Sequence, residues 1–248
     1  RTIISVNYTV EEFGYFTFSF TIANAVMLLL DSFNTILFPK TIDLMSSDDN
    51  KKKADALEKM RVGYILTSHM LVYLAMICFP ILVWFIPKYM PALSSMNMIA
   101  LAVLMNTNSY GYSNMLIAQN KEHKAGFISA VSLIVNIILG LGLAKILNVE
   151  YSYITIAILV AYMISSFLMA YEGDTILRRE KSVSYTLKHF FPIRMFIPYM
   201  IALIISCTQI EYLIFIPLLV FIMLNYKDLQ FLKNIALKLI KEPEVIDV

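Results

Sequence analysis

The chain has 248 residues, of which 59% are hydrophobic and 15% charged, and its mean hydropathy is +0.70. Soluble domains average about 45–50% apolar and about 25% charged, and a chain of this length cannot hide the excess in one larger core, so the composition is that of a polytopic membrane protein. A net charge of +2 with no basic patch interleaved with aromatics excludes a nucleic-acid binder.

A helix needs about 20 apolar residues to cross a bilayer. Seven stretches are predicted to do so, A to G: 16–38, 63–86, 96–117, 126–147, 151–171, 193–208 and 212–225. The fold class expected is an all-α transmembrane bundle. Spans F and G are short enough to form a single re-entrant hairpin, but the polar break Thr208-Gln209-Ile210-Glu211-Tyr212 favours two crossings.

Span A carries Thr17, Thr21, Asn24, Asp31, Asn34 and Thr35. At 100° per residue, Thr17, Asn24, Asp31 and Thr35 fall within about 40° of one another, so a polar stripe runs along the helix. Asp31 is the one carboxylate well inside a clear span. It is the candidate coupling or gating group, answering to H⁺ or Na⁺; a sugar-hydroxyl acceptor and a buried Asp satisfied by its neighbours are the competing readings. Pro39 is expected to end the span. In the linker that follows, Ser47 or Asp48 is placed to cap a helix running on into B.

In span B, His69 is more simply hydrogen-bonded filler than a proton relay, and Pro80 is a source of a kink. Span C holds Asn106, Thr107, Asn108, Ser109, Tyr110, Ser113 and Asn114. Read as one helix, it puts Asn106, Ser109, Tyr110, Ser113 and Asn114 on a face about 140° wide, which suits the lining of a cavity better than apolar packing. In span D, Asn136, Gly140 and Gly142 read as close helix packing. Cys78 and Cys207 sit in apolar runs, where a packed thiol is the simplest reading. The tail, 226–248, begins with apolar residues at helical spacing and is expected to lie on the inner leaflet.

The 20 Lys and Arg residues divide unevenly. The A–B, C–D and E–F linkers, out to Arg61 and Arg194 at their edges, hold seventeen together with the tail. The alternate segments hold Arg1, Lys88 and Lys145. The positive-inside rule then places the C-terminus in the cytoplasm and the chain start outside. No HExxH, CxxC, GxSxG or Walker-type loop occurs, and His69, His123 and His189 lack metal-ligand spacing. Neither an enzyme nor a metal or cofactor protein is expected.

The segment Arg1-Thr-Ile-Ile-Ser followed by Val10-Glu-Glu-Phe-Gly-Tyr-Phe-Thr-Phe resembles the start of the second half of polysaccharide repeat-unit flippases. These are the O-antigen and capsule translocases of the multidrug/oligosaccharidyl-lipid/polysaccharide exporter superfamily, in which an Asp-Arg pair precedes a Glu-x-Gly-x-Tyr motif. Pro39, Pro87-Lys-Tyr-Met-Pro-Ala92, Asn120-Lys121-Glu-His-Lys124 and the Asn136 segment look similar too. The resemblance implies the last seven of fourteen helices, with a first lobe missing from this chain, so that a fragment is expected. It implies alternating access in a bacterial inner membrane, with membrane lipids around the bundle and an undecaprenyl-pyrophosphate-linked oligosaccharide as substrate. Asn24, Asn106, Ser109, Tyr110 and Asn114 are then the expected cavity lining. No Lys or Arg lies deep in a span to meet the pyrophosphate.

The rivals are a cation-coupled drug exporter of the same superfamily, a membrane-embedded polysaccharide polymerase or acyltransferase, and a non-catalytic partner in glycan export. The Asn-rich face of C points away from the drug exporter, and the short outside loops point away from the enzymes.

Overall fold

The structure is a computed structural model that describes the backbone of residues 1–46, 50–178 and 182–241; the side chains at 30, 31, 33–46, 50–56, 59, 177, 178, 188 and 231–241 lie outside the described residues. Helices account for nearly all of it, and there is no strand among the described residues. In chain order they are α1 (Thr2–Asn7), α2 (Val10–Ser46), α3 (Asn50–Phe85), α4 (Leu93–Thr107), α5 (Tyr112–Ala118), α6 (Glu122–Leu141), α7 (Thr155–Arg178), α8 (Val183–Phe190), α9 (Ile193–Thr208) and α10 (Ile216–Lys241). Short 3₁₀ turns introduce α4, α7 and α10, and a π turn, Gly142–Ile146, extends α6. Six segments are long and apolar enough to cross a membrane among the described residues. The chain is therefore an all-α, multi-pass membrane bundle. The seventh expected crossing, α9, has 16 residues and spans about 24 Å, short of a full hydrocarbon core.

Local chemistry sets the boundaries. Thr9 and Glu12 form a capping box at the start of α2: the Thr9 amide donates to Glu12 Oε2 (2.9 Å) and the Glu12 amide donates to Thr9 Oγ1 (3.2 Å). At the other end α2 runs through Pro39 to Ser46, where the sequence predicts a stop. A proline removes one backbone donor and can bend a helix without ending it. Ser47 and Asp48, the expected caps, lie outside the described residues; α3 does run from Asn50 into span B. Gln209 takes the left-handed conformation (φ 56°) and ends α9, with the Ile210 amide donating to Ile205 O. The long last helix leaves helical geometry at Asn225 (φ −115°, ψ 18°), whose side chain donates to Arg194 O and Phe221 O (3.2 and 3.0 Å).

The largest departure from the sequence expectation is span C. It is broken between Thr107 and Tyr112, giving α4 and α5. Gly111 at φ +82° makes the break, in a conformation that a side chain strongly disfavours. Asn106 through Gly111 are also poor helix formers that compete for backbone groups. The shared face expected for Asn106, Ser109, Tyr110, Ser113 and Asn114 does not exist, because it assumed an unbroken helix.

Helix α4 is the centre of the bundle, with 78% of its spanning window buried, against 17% for α6. Around it a large apolar cluster joins α3, α7, α9 and α10 through residues such as Tyr73, Met96, Leu101, Tyr199 and Phe221. A smaller cluster at one end brings together Ile4, Phe16, Ala23, Ile99, Val103 and Tyr151. Tyrosine hydroxyls stitch that end to backbone carbonyls: Tyr8 to Val149 (2.7 Å), Tyr151 to Pro91 (2.6 Å) and Tyr153 to Cys207 (3.0 Å). Cys78, expected to be packed, is exposed on the outer surface of the bundle. His69 is fully buried, its Nδ1 within 2.9 Å of Ile65 O, and is boxed in by Tyr73, Phe191 and Phe221.

Candidate functional site

Polar side chains inside apolar spans face protein or trapped water, because lipid cannot satisfy them. Six of them line an open cleft of about 300 Å³ between α4, α6 and α7. Asn106 of α4, Ser129, Ser132 and Asn136 of α6, and Tyr162 and Ser165 of α7 line it, with Leu133, Ile158 and Ala161 between them. Every one of these residues belongs to a stretch long and apolar enough to cross a membrane. No charged side chain lines the cleft among the described residues.

The geometry follows from helical spacing. Ser129, Ser132 and Asn136 recur at intervals of three and four, so they share one face of α6. Ser132 Oγ donates to Ala161 O (3.0 Å), and Ser129 Oγ donates to Ala125 O (3.0 Å). Both hydroxyl hydrogens are thereby committed to the backbone, which leaves the oxygens as acceptors. The carboxamides of Asn106 and Asn136 each offer donors and an acceptor. Tyr162 adds an aromatic face with a polar tip. Together these groups match a neutral ligand rich in hydroxyls and amides, and they provide no counter-charge for an ion.

Of the five residues expected to line a cavity, Asn106 reaches the cleft. Ser109 is half-buried in the break and its Oγ donates to Asn106 O (2.9 Å). Tyr110 is buried with its ring stacked on Tyr64, centroids 3.9 Å apart. Asn114 is buried within α5. Asn24 is half-buried on α2 and lies outside the cleft lining. The side chain of Asp31 lies outside the described residues.

The rest of the α2 stripe flanks the packing. Phe16, Ser19, Ala23 and Val26 form the buried face of α2, and Ser19 Oγ donates to Ala92 O (3.0 Å) to tie it to the start of α4. Thr17, Thr21 and Asn24 sit about a third to a half of a turn away from that face. Thr21 is exposed there, donating to Thr17 O. Thr17 and Asn24 are half-buried, and the exposed Thr21 needs water or another helix beside it.

Sequence reasoning missed Ser129, Ser132, Tyr162 and Ser165, and read Asn136 as packing. The signal was present in the Ser-x-x-Ser-x-x-x-Asn spacing of span D. No family model, curated protein or solved structure matches the chain.

Proposed function

We propose that this chain is a lobe of a translocase that moves lipid-linked oligosaccharide repeat units across the bacterial cytoplasmic membrane by alternating access. The observation that carries the reading is the cleft: a neutral, hydroxyl- and amide-rich space within three apolar spans. A glycan head-group crossing hydrocarbon needs such partners, and polar groups of this kind in a membrane bundle are costly without a use. The exposed Thr21 on α2, one turn from the half-buried Asn24, supports a second helical lobe or a wet cavity on that side. The seventeen-to-three division of basic residues supports a cytoplasmic C-terminus.

Among the described residues the cleft lining is neutral, which favours a hydroxyl-rich ligand over the cationic substrate of a drug exporter. The neutral lining also leaves the pyrophosphate to be held elsewhere, near an interface or by another lobe. Asp31 remains the candidate coupling group.

The test uses a strain lacking its own repeat-unit translocase, expressing the full-length protein. Wild type restores surface glycan. Asn106→Leu/Asn136→Leu, at equal membrane abundance, does not, and Asp31→Asn reduces it. Wild type restoring nothing while lipid-linked repeat units are already outside the cell would overturn the reading in favour of a polymerase or partner role.

A further inference from the structure

Arg61 counts, by position, among the basic residues that orient the chain. In the fold it is buried, at 7% exposure, beside the break in span C. Its Nη1 donates to the Tyr112 hydroxyl (3.0 Å), its Nη2 donates to Asn108 O (3.1 Å), and its guanidinium lies over the Tyr112 ring, 4.2 Å from the centroid. The Tyr112 hydroxyl in turn donates to Asp174 Oδ1 (3.0 Å), and Thr186 Oγ1 donates to Asp174 Oδ2 (2.9 Å). One network thus links α3, the break, α7 and α8. Two glycines make room for it. A Cβ on Gly173 would lie 2.2 Å from Tyr112 Cδ1, and one on Gly111 would lie 2.5 Å from Leu57 Cδ1 and 3.3 Å from Arg61 Cγ.

The carbonyl that Arg61 holds has a specific alternative partner. In a continuous helix, Asn108 O would accept the Tyr112 amide four residues on. Here that amide donates to Ser109 O (3.1 Å) instead, and Arg61 takes its place at Asn108 O. The positive guanidinium also sits at the C-terminal, electronegative end of α4. Two residues before Asn108 is Asn106, the α4 wall of the cleft. Its carbonyl accepts from Ser109 Oγ and lies 3.4 Å from Ser166 Oγ, next to the cleft residue Ser165.

We propose that Arg61, Tyr112 and Asp174 are positioning residues that hold span C broken and thereby fix Asn106 in the cleft. Arg61 competes with helix continuation for Asn108 O, Asp174 anchors Tyr112, and the cleft geometry depends on both. The inference rests on the cleft being the site where substrate is handled. Its test needs no substrate, so it can fail while the translocation reading stands, and the reverse also holds.

The experiment uses the full-length protein with Cys78→Ala and Cys207→Ala, carrying Ser165→Cys in the cleft. A second version carries Ser94→Cys instead, twelve residues before Asn106 and about 18 Å away along α4. A small water-soluble methanethiosulfonate is the probe, and each thiol is compared with and without Tyr112→Phe or Arg61→Lys. Tyr112→Phe keeps the ring and loses the bridge; Arg61→Lys keeps the charge and loses the fork that spans two acceptors. The Ser165→Cys thiol is expected to react at least about fivefold faster in both variants, the factor that a single lost hydrogen bond commands, while the Ser94→Cys thiol keeps its rate. Unchanged rates at Ser165→Cys overturn the proposal. So does an equal acceleration at Ser94→Cys, which would make the network a general staple of the bundle.

Discussion

The cleft and the Arg61 network meet the same broken span, at Asn106 and at Asn108, and they treat polarity in opposite ways. The cleft is open and, among the described residues, lined by neutral hydrogen-bonding groups. The network is sealed, charged and almost fully paired within the protein: Arg61 is compensated by Asp174 through a shared tyrosine. Neutral hydrogen-bonding groups can face a changing occupant at modest cost. A buried charge needs a permanent partner, because losing that partner leaves the full desolvation penalty exposed. The contrast divides the bundle into a region built to accommodate and a region built to hold still.

That division orders the expected effects. Asp174→Ala strands the Arg61 guanidinium and should cost about 3–5 kcal/mol of stability, read by thermal unfolding in detergent. Removing Arg61 as well should recover part of the loss, since the pair is coupled. Tyr112→Phe deletes the bridge between the charges and should cost about 2 kcal/mol, as expected for hydrogen bonds to charged groups. Lys124→Ala removes the pair that Lys124 makes with Glu172. Because those side chains are 40% and 25% exposed, the loss should be under about 1 kcal/mol and fall further with added salt. Asn136→Leu, in the cleft, should shift stability by less than about 0.5 kcal/mol yet impair transport. A cleft variant that unfolds the protein, or a network variant that leaves stability untouched, would erase the distinction.

Much of the fold was legible from composition and hydropathy. Spans were long, apolar and punctuated by basic linkers, and the α9 boundaries at Ile193 and Thr208 appear directly as the limits of an apolar run. Two features were not legible, for one physical reason: a helical projection assumes that the helix exists. In span C, the run Asn106-Thr107-Asn108-Ser109-Tyr110-Gly111 was projected as a face, when its poor helix formers and terminal glycine marked a break. At Pro39 the opposite error occurred, because a breaker was read as a stop where the helix continues. Arg61 and Asp174 were hidden by their positions just outside the apolar runs. Distance along the chain from a span says little about burial once helices extend past the hydrocarbon and pack. Asn136 lines the cleft together with Ser129 and Ser132, a shared face that a single polar residue in an apolar run does not reveal.

The central claim, that the neutral cleft carries a glycan head-group across the bilayer, is tested most directly by reconstitution. The full-length protein would be placed in proteoliposomes holding a fluorescent undecaprenyl-pyrophosphate-linked oligosaccharide, and transfer between leaflets followed by a membrane-impermeant quencher. The account predicts transfer well above protein-free vesicles for wild type and a fall to the protein-free rate for Asn106→Leu/Asn136→Leu at equal incorporation. Equal transfer by the wild type and the double variant would contradict it.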